Sequence, residues 1–196
     1  MPRFSLLLIG LLWTTSVHAQ VIQNRNSIRL GVDWTSLDAP DAVGPRYVAR
    51  LARHFGHDRF LVAAEAGYLR KTTSNQLFNE VNPGPNQRER LTVDLTVFYD
   101  FLRHPRHALR LGTGWSAWYR GDDIYRGARA AFTPTGLQAV VIDRQKRHEL
   151  NMGGHVALEY AWLFAPHWSV DMRVRLADLN RAGISSMLGG GLTFHF

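Results

Sequence analysis

The chain has 196 residues, 45% of them hydrophobic, no cysteine, and a formal net charge of +7. One domain is the expectation for that length, and the lack of cysteine excludes a disulfide framework, a thiolate metal site and a lipid-modified N-terminal cysteine. No apolar run beyond the N-terminus approaches a membrane helix, but strands that spend only alternate residues on lipid are compatible with such modest hydropathy.

Arg3 precedes the short apolar run from Phe4 to Trp13, and Thr14-Thr15-Ser16 leads to Val17-His18-Ala19. A charged start, a short apolar core and a small residue at the cleavage position predict a bacterial secretory signal peptide over 1–19. A short segment, 20–26, then leads into the main domain, 27–196.

From there on the pattern alternates. The first predicted strand, Ser27 to Ser36, sets Ile28, Leu30, Val32 and Trp34 against Arg29, Gly31, Asp33 and Thr35. Successive side chains of a strand point to opposite faces, so this is a ribbon with one apolar and one polar side. Prolines and glycine make the stretch from Leu37 to Pro45 a loop. The second strand, Arg46 to Phe55, carries Tyr47, Ala49, Leu51 and Phe55 on its apolar face, with Arg53 breaking that face near the end, and Gly56-His57-Asp58 is a tight turn. The third, Arg59 to Arg70, carries Phe60, Val62, Ala64, Ala66 and Tyr68, and a long polar loop is expected from Lys71 to Arg88.

The clearest strand is the fourth, Leu91 to Phe101, where Leu91, Val93, Leu95, Val97, Tyr99 and Phe101 alternate with Thr92, Asp94, Thr96, Phe98 and Asp100. About 11 residues is long for a globular strand but suits a tilted one crossing a bilayer. After a turn at 103–107, the fifth strand, Ala108 to Tyr119, opposes Leu109, Leu111, Thr113, Trp115, Ala117 and Tyr119 to Arg110, Gly112, Gly114, Ser116 and Trp118. The longest loop is expected over 120–147, with Leu137 to Ile142 able to extend a neighbouring strand. The sixth strand follows from Leu150 to Phe164, the seventh from Trp168 to about Ala177, and the last from Ser185 to Phe196.

Eight strands joined by alternating tight turns and longer loops predict an all-β fold, an eight-stranded antiparallel up-and-down transmembrane β-barrel. A secreted lipocalin-like barrel has the same strand count with its apolar face inward. Three features favour the membrane form. Small residues (Gly31, Gly67, Gly112, Gly114, Gly189, Gly191) crowd the polar face, lysine is rare in the strands, and aromatics gather at strand ends as interfacial girdles require.

The signal peptide, the eight strands and the terminal Leu192-Thr193-Phe194-His195-Phe196 together resemble small bacterial outer-membrane barrels of the OmpA-transmembrane/OmpX type. The resemblance implies an outer-membrane location; a monomer in contact with outer-membrane lipids, including lipopolysaccharide, is the expected state. It also implies that Leu192, Phe194 and Phe196 form the signal read by the barrel-assembly machinery. No cofactor is implied.

On the inward face the alternation places Arg29, Asp33, Arg50, Glu65, Asp94, Asp100, Arg110, His155, Glu159, Asp171, Arg173 and Arg175. An unpaired buried charge is costly, so these are expected to pair and fill the lumen. A narrow passive pore is the alternative. A lipid-modifying enzyme is a third class, but Ser116, Ser185, Ser186, His155 and His195 share no local motif, and no nucleophile–base arrangement is expected, so no catalytic residue is assigned. Histidines in turns (His54, His57, His104, His107, His167) read as solvated, and no metal site is assigned. Basic residues concentrate around the longest loop, where Arg144, Lys146 and Arg147 are candidate contacts to lipopolysaccharide phosphates. The dispersed charge and the export signal argue against nucleic acid. The expected role is structural and interactive, exercised through surface loops.

Overall fold

A computed structural model describes residues 25–37, 43–56, 59–74, 84–102, 104–133, 136–180 and 183–196. The segment 1–19, expected to be a signal peptide, lies outside them. Eight strands follow one another: β1 (Asn26–Ser36), β2 (Val43–Phe55), β3 (Phe60–Thr73), β4 (Asn86–Asp100), β5 (His107–Thr133), β6 (Gly136–Ala165), β7 (Trp168–Leu179) and β8 (Gly183–His195). Each pairs antiparallel with the next and β8 pairs with β1, so the sheet is a closed barrel without a free edge at its waist. The chain ends complete the closure: Asn26 N donates to Phe196 O at 3.1 Å and Phe196 N donates to Asn26 O at 2.9 Å.

The barrel is inside-out relative to a soluble protein. Its largest fully buried side chains include Arg29, Arg46 and Arg175, while Leu30, Leu51, Met172 and Trp115 stand out on the exterior, Trp115 with 78% of its surface exposed. Such an outer face is stable against acyl chains, and strands crossing a bilayer need closure so that every backbone group is paired. Aromatic rings band both ends. Near the short turns, Phe60 packs on Tyr99 (ring centroids 5.4 Å apart), Tyr99 on Phe101 (4.9 Å) and Trp168 on Phe194 (5.0 Å). At the other end, Tyr47, Tyr68, Leu91 and Tyr119 form one outward row across β2 to β5.

Three boundaries differ from the sequence expectation. β2 begins at Val43, running through Gly44 and Pro45; proline is tolerated because β2 pairs only with β1 at that level, and β3 joins at Arg46. β3 and β4 reach into the expected 71–88 loop, pairing as far as Thr73↔Asn86. Above all, most of 120–147 is strand, not loop. β5 and β6 continue as a two-stranded ribbon to Thr133↔Gly136, with register shifts between Tyr125 and Gly127 and between Ala131 and Phe132. β4 accompanies β5 only to Asp123, and β7 accompanies β6 only from Gly154. The ribbon therefore rises about 30 Å beyond its last backbone pairing with β4, at roughly 3.3 Å per residue. Its backbone groups are satisfied across the hairpin itself, which is why a stretch that reads as polar loop stays ordered as strand.

Candidate functional site: the charged lumen and the ribbon base

Inward alternation places like charges side by side along the wall. Arg29 pairs in register with Arg50, and Glu65 with Asp94. Like charges directly opposite each other destabilise a sheet, so these groups reach across the lumen instead. Arg29 Nε donates to both Asp171 oxygens, at 2.7 and 2.9 Å, and Thr193 Oγ1 donates to the same carboxylate. Arg173 Nη1 donates to Glu65 Oε2 at 2.6 Å, and its Nη2 to Asp33 at 2.7 Å. Arg175 pairs with Asp94 at 2.8 Å. Arg50 and Arg110 both donate to Glu159, and Arg110 also lies 3.7 Å from Asp100, at the mouth nearer the short turns.

The eleven charges expected from the sequence thus fall into two groups: Arg50, Asp100, Arg110 and Glu159 toward the short turns, and a larger mesh of Arg29, Asp33, Glu65, Asp94, Asp171, Arg173 and Arg175. The sequence reading did not include its most connected arginine. Arg46 donates to Asp33, Glu65, Asp94 and Thr92. Its parity opposite outward Tyr47 was the available signal, muted by its place at the expected strand start. Met187 sulfur also accepts from Arg46 and Arg175.

Glycines make room for the guanidinium groups. A Cβ on Gly67 would lie 2.3 Å from Arg46 Nε, and one on Gly191 2.6 Å from Arg29 Nε. Apolar clusters lie on either side of the mesh: Ala52, Leu61, Ala63, Phe98 and Ala157 toward the short turns, and Trp118, Ala177, Leu179 and Met187 toward the ribbon. The lumen is filled by side chains, as the narrow bore of eight strands requires.

One constellation goes against expectation. Ser116 Oγ and His155 Nδ1 are hydrogen-bonded at 2.8 Å, and Thr96 Oγ1 holds the other ring nitrogen at 2.8 Å. Adjacent strands bring them together, through the pairs Thr96↔Gly114 and Gly114↔His155, a relationship no local motif announces. All three side chains are buried in the lumen, where the imidazole joins a hydroxyl on β4 to one on β5. A comparable contact ties His195 Nε2 to Ser169 Oγ at 2.9 Å. Among the described residues, no three His, Asp or Glu side chains are grouped to hold a metal ion.

At the base of the ribbon, Arg90 Nη1 and Arg120 Nε each donate to Asp122, both at 2.6 Å. Burial opposes ionisation of Asp122, but these two guanidinium groups outweigh it and hold its carboxyl below the usual range. Of the candidate phosphate contacts, Arg144 and Lys146 share the outward parity of Leu150, while Arg147 points to the barrel-axis side. Arg144 Nε is held by Asp123 Oδ1 at 2.9 Å and Arg147 Nε by Glu149 at 3.0 Å; Lys146 is exposed. Leu192, Phe194 and Phe196 lie together on the outward face at the end of β8.

No family model matches the sequence, and no curated protein matches it. Solved structures do share the fold. Neisserial surface protein A (NspA) superposes with a TM-score of 0.59 at 12% identity, over 87% of this chain and 96% of that one. OprG from Pseudomonas aeruginosa gives 0.55 at 12% identity, over 88% and 97%. Ail, the attachment invasion locus protein of Yersinia pestis, solved with the heparin analogue sucrose octasulfate, gives 0.52 at 12% identity, over 87% and 97%. The architecture is that of the small eight-stranded outer-membrane barrels.

Proposed function

We propose that this chain is a non-enzymatic outer-membrane barrel whose role is structural and interactive, the filled lumen serving as a rigid base for the surface ribbon. The observation that carries this reading is the ion-pair mesh joining β1, β2, β3, β4 and β7 across the lumen. Side chains that are mutually neutralised and packed leave the chemistry of the protein to its surface. Reconstitution in a planar bilayer tests this: no stable conductance steps are expected, and ohmic steps of fixed size would replace the structural role with a pore.

The lipid partner in this reading is lipopolysaccharide, met by Lys146 on the outward face of the ribbon. Lys146 stands four residues beyond Leu150, or about 13 Å along the strand, a distance that carries its ammonium out of the apolar belt into the headgroup layer. Arg144 is engaged by Asp123, and Arg147 faces the axis, so both contribute less. Lys146→Gln is expected to lower co-purified lipopolysaccharide more than Arg147→Gln, and equal retention by all variants would reject the contact. Leu192, Phe194 and Phe196 are proposed as the recognition end for barrel assembly of a monomer, with Phe196→Ala lowering the yield of inserted protein.

A further inference from the structure

Above the lumen, the axis-facing side of β3 to β6 carries two cross-strand rows. Lys71 is in register with Arg88, Arg88 with Asp122, and Asp122 with Arg147. One step closer to the lumen, Leu69 is in register with Arg90, Arg90 with Arg120, and Arg120 with Glu149. Register is unbroken through both rows, so all these side chains share the parity of the lumen-facing residues below them. Five cations and two carboxylates therefore share one concave face.

The carboxylates are already committed. Asp122 accepts from Arg90 and Arg120, and Glu149 pairs with Arg147. Lys71 Nζ donates to the backbone oxygen of Val43 at 2.7 Å, which orients the ammonium without neutralising it. Arg88 has no ion-pair partner among the described residues and is part-exposed. Two directly opposed like-charge pairs, Lys71↔Arg88 and Arg90↔Arg120, are each unfavourable in a sheet. Asp122 bridges the second pair. Among the described residues nothing bridges the first, and a local rule broken without compensation points to a functional site.

We propose that this vestibule binds a soluble ligand bearing several phosphate or sulfate groups, with Lys71 and Arg88 as its primary contacts and Arg120 and Arg147 beside them. Tetrahedral oxyanions accept charge-assisted hydrogen bonds from guanidinium and ammonium groups, and one such group between Lys71 and Arg88 removes their repulsion. The site opens toward the barrel axis. A headgroup in the surrounding bilayer meets the other face of the ribbon, so the ligand arrives from solution. The inference is independent of the lipid contact proposed above, which uses the opposite face.

The test is calorimetric titration of inositol hexakisphosphate into the full chain folded in phosphatidylcholine nanodiscs. Saturable binding is expected, falling as salt rises. Lys71→Gln and Arg88→Gln should each weaken it by about tenfold, the equivalent of one charge-assisted hydrogen bond. Arg70→Gln removes the same charge one residue away on the outward face and should leave affinity within about twofold. Arg88→Lys should recover part of the loss, separating charge from folding, and each variant is first checked for the gel-mobility shift on boiling that a closed barrel gives. No saturable binding, equal affinity in the Lys71 and Arg88 variants, or a loss as large in Arg70→Gln would each overturn the proposal.

Discussion

Glu65 on β3 and Arg173 on β7 stand on facing walls of the barrel, 108 residues apart, with both carboxylate oxygens bonded to the guanidinium at 2.6 and 3.0 Å. Glu65 also accepts from Arg46 at 3.0 Å and lies 4.0 Å from Arg29 and 3.8 Å from Arg175. It is the carboxylate on which four arginines converge. Breaking a buried ion pair from one side leaves an uncompensated charge in a site of low dielectric.

Glu65→Ala is therefore expected to destabilise the barrel by about 3–5 kcal/mol. Urea unfolding in detergent micelles, followed by the unheated-against-boiled gel shift, measures it. A loss below about 1 kcal/mol, the scale of an exposed pair, would mean that the mesh is solvated rather than buried.

Gly67 faces Arg46 so closely that a Cβ would come within 2.3 Å of its Nε and 2.7 Å of Thr92 Oγ1. Gly67→Ala should cost about 1–3 kcal/mol by overpacking, because the guanidinium is pinned by three carboxylates. Gly127, in the ribbon, has no atom within 4 Å of its would-be Cβ. Gly127→Ala should stay within about 0.5 kcal/mol, and similar losses at both positions would remove the packing explanation.

Leu95 lies on the outward face of β4, in register with Ala64 and Trp115. Leu95→Arg should cost about 2–4 kcal/mol in a bilayer, the penalty for a cation near the midplane of a barrel exterior. Refolding yield across a denaturant series in lipid vesicles tests it, and wild-type stability would reverse the assignment of faces.

Asp122 governs the pH response of the ribbon base. Its carboxyl titrates below the ordinary value when folded, so its contribution is full above about pH 4, the unfolded value, and is lost as pH falls through the lower folded one. Amide-exchange protection at Asp123 and Ile124, corrected for intrinsic rates, should fall between pH 7 and pH 3. Asp122→Asn should show the low protection at both pH values, and a variant that kept the pH dependence would point to another group.

Much of this architecture is legible along the chain. From Leu91 to Asp100 apolar and polar side chains alternate, and in the structure every second one faces out. The same holds for Ile28 to Trp34 and for Leu109 to Tyr119. Less legible were the ends. Polar residues such as Gln87 and Arg88 read as loop because, above the membrane, both faces of a strand meet polar surroundings and the alternation that marks a strand fades. The ribbon from Ile124 to Asp143 continued as strand because its two halves pair with each other, a property of neither half alone.

The sequence by itself determined the strands, their faces and the inversion that puts arginine inside and leucine outside, since period-two patterning is local and reads directly as orientation. It also determined that the lumen charges are nearly balanced. Only the tertiary structure decided which of them meet: Glu65 with Arg173, Arg29 with Asp171, Ser116 with His155. Closure of eight tilted strands sets the stagger between opposite walls, and the reach of each side chain across that gap then selects its partner. The cationic rows at Lys71, Arg88, Arg120 and Arg147 are of the same kind, because the register between four consecutive strands, a property of no single strand, brings them onto one face.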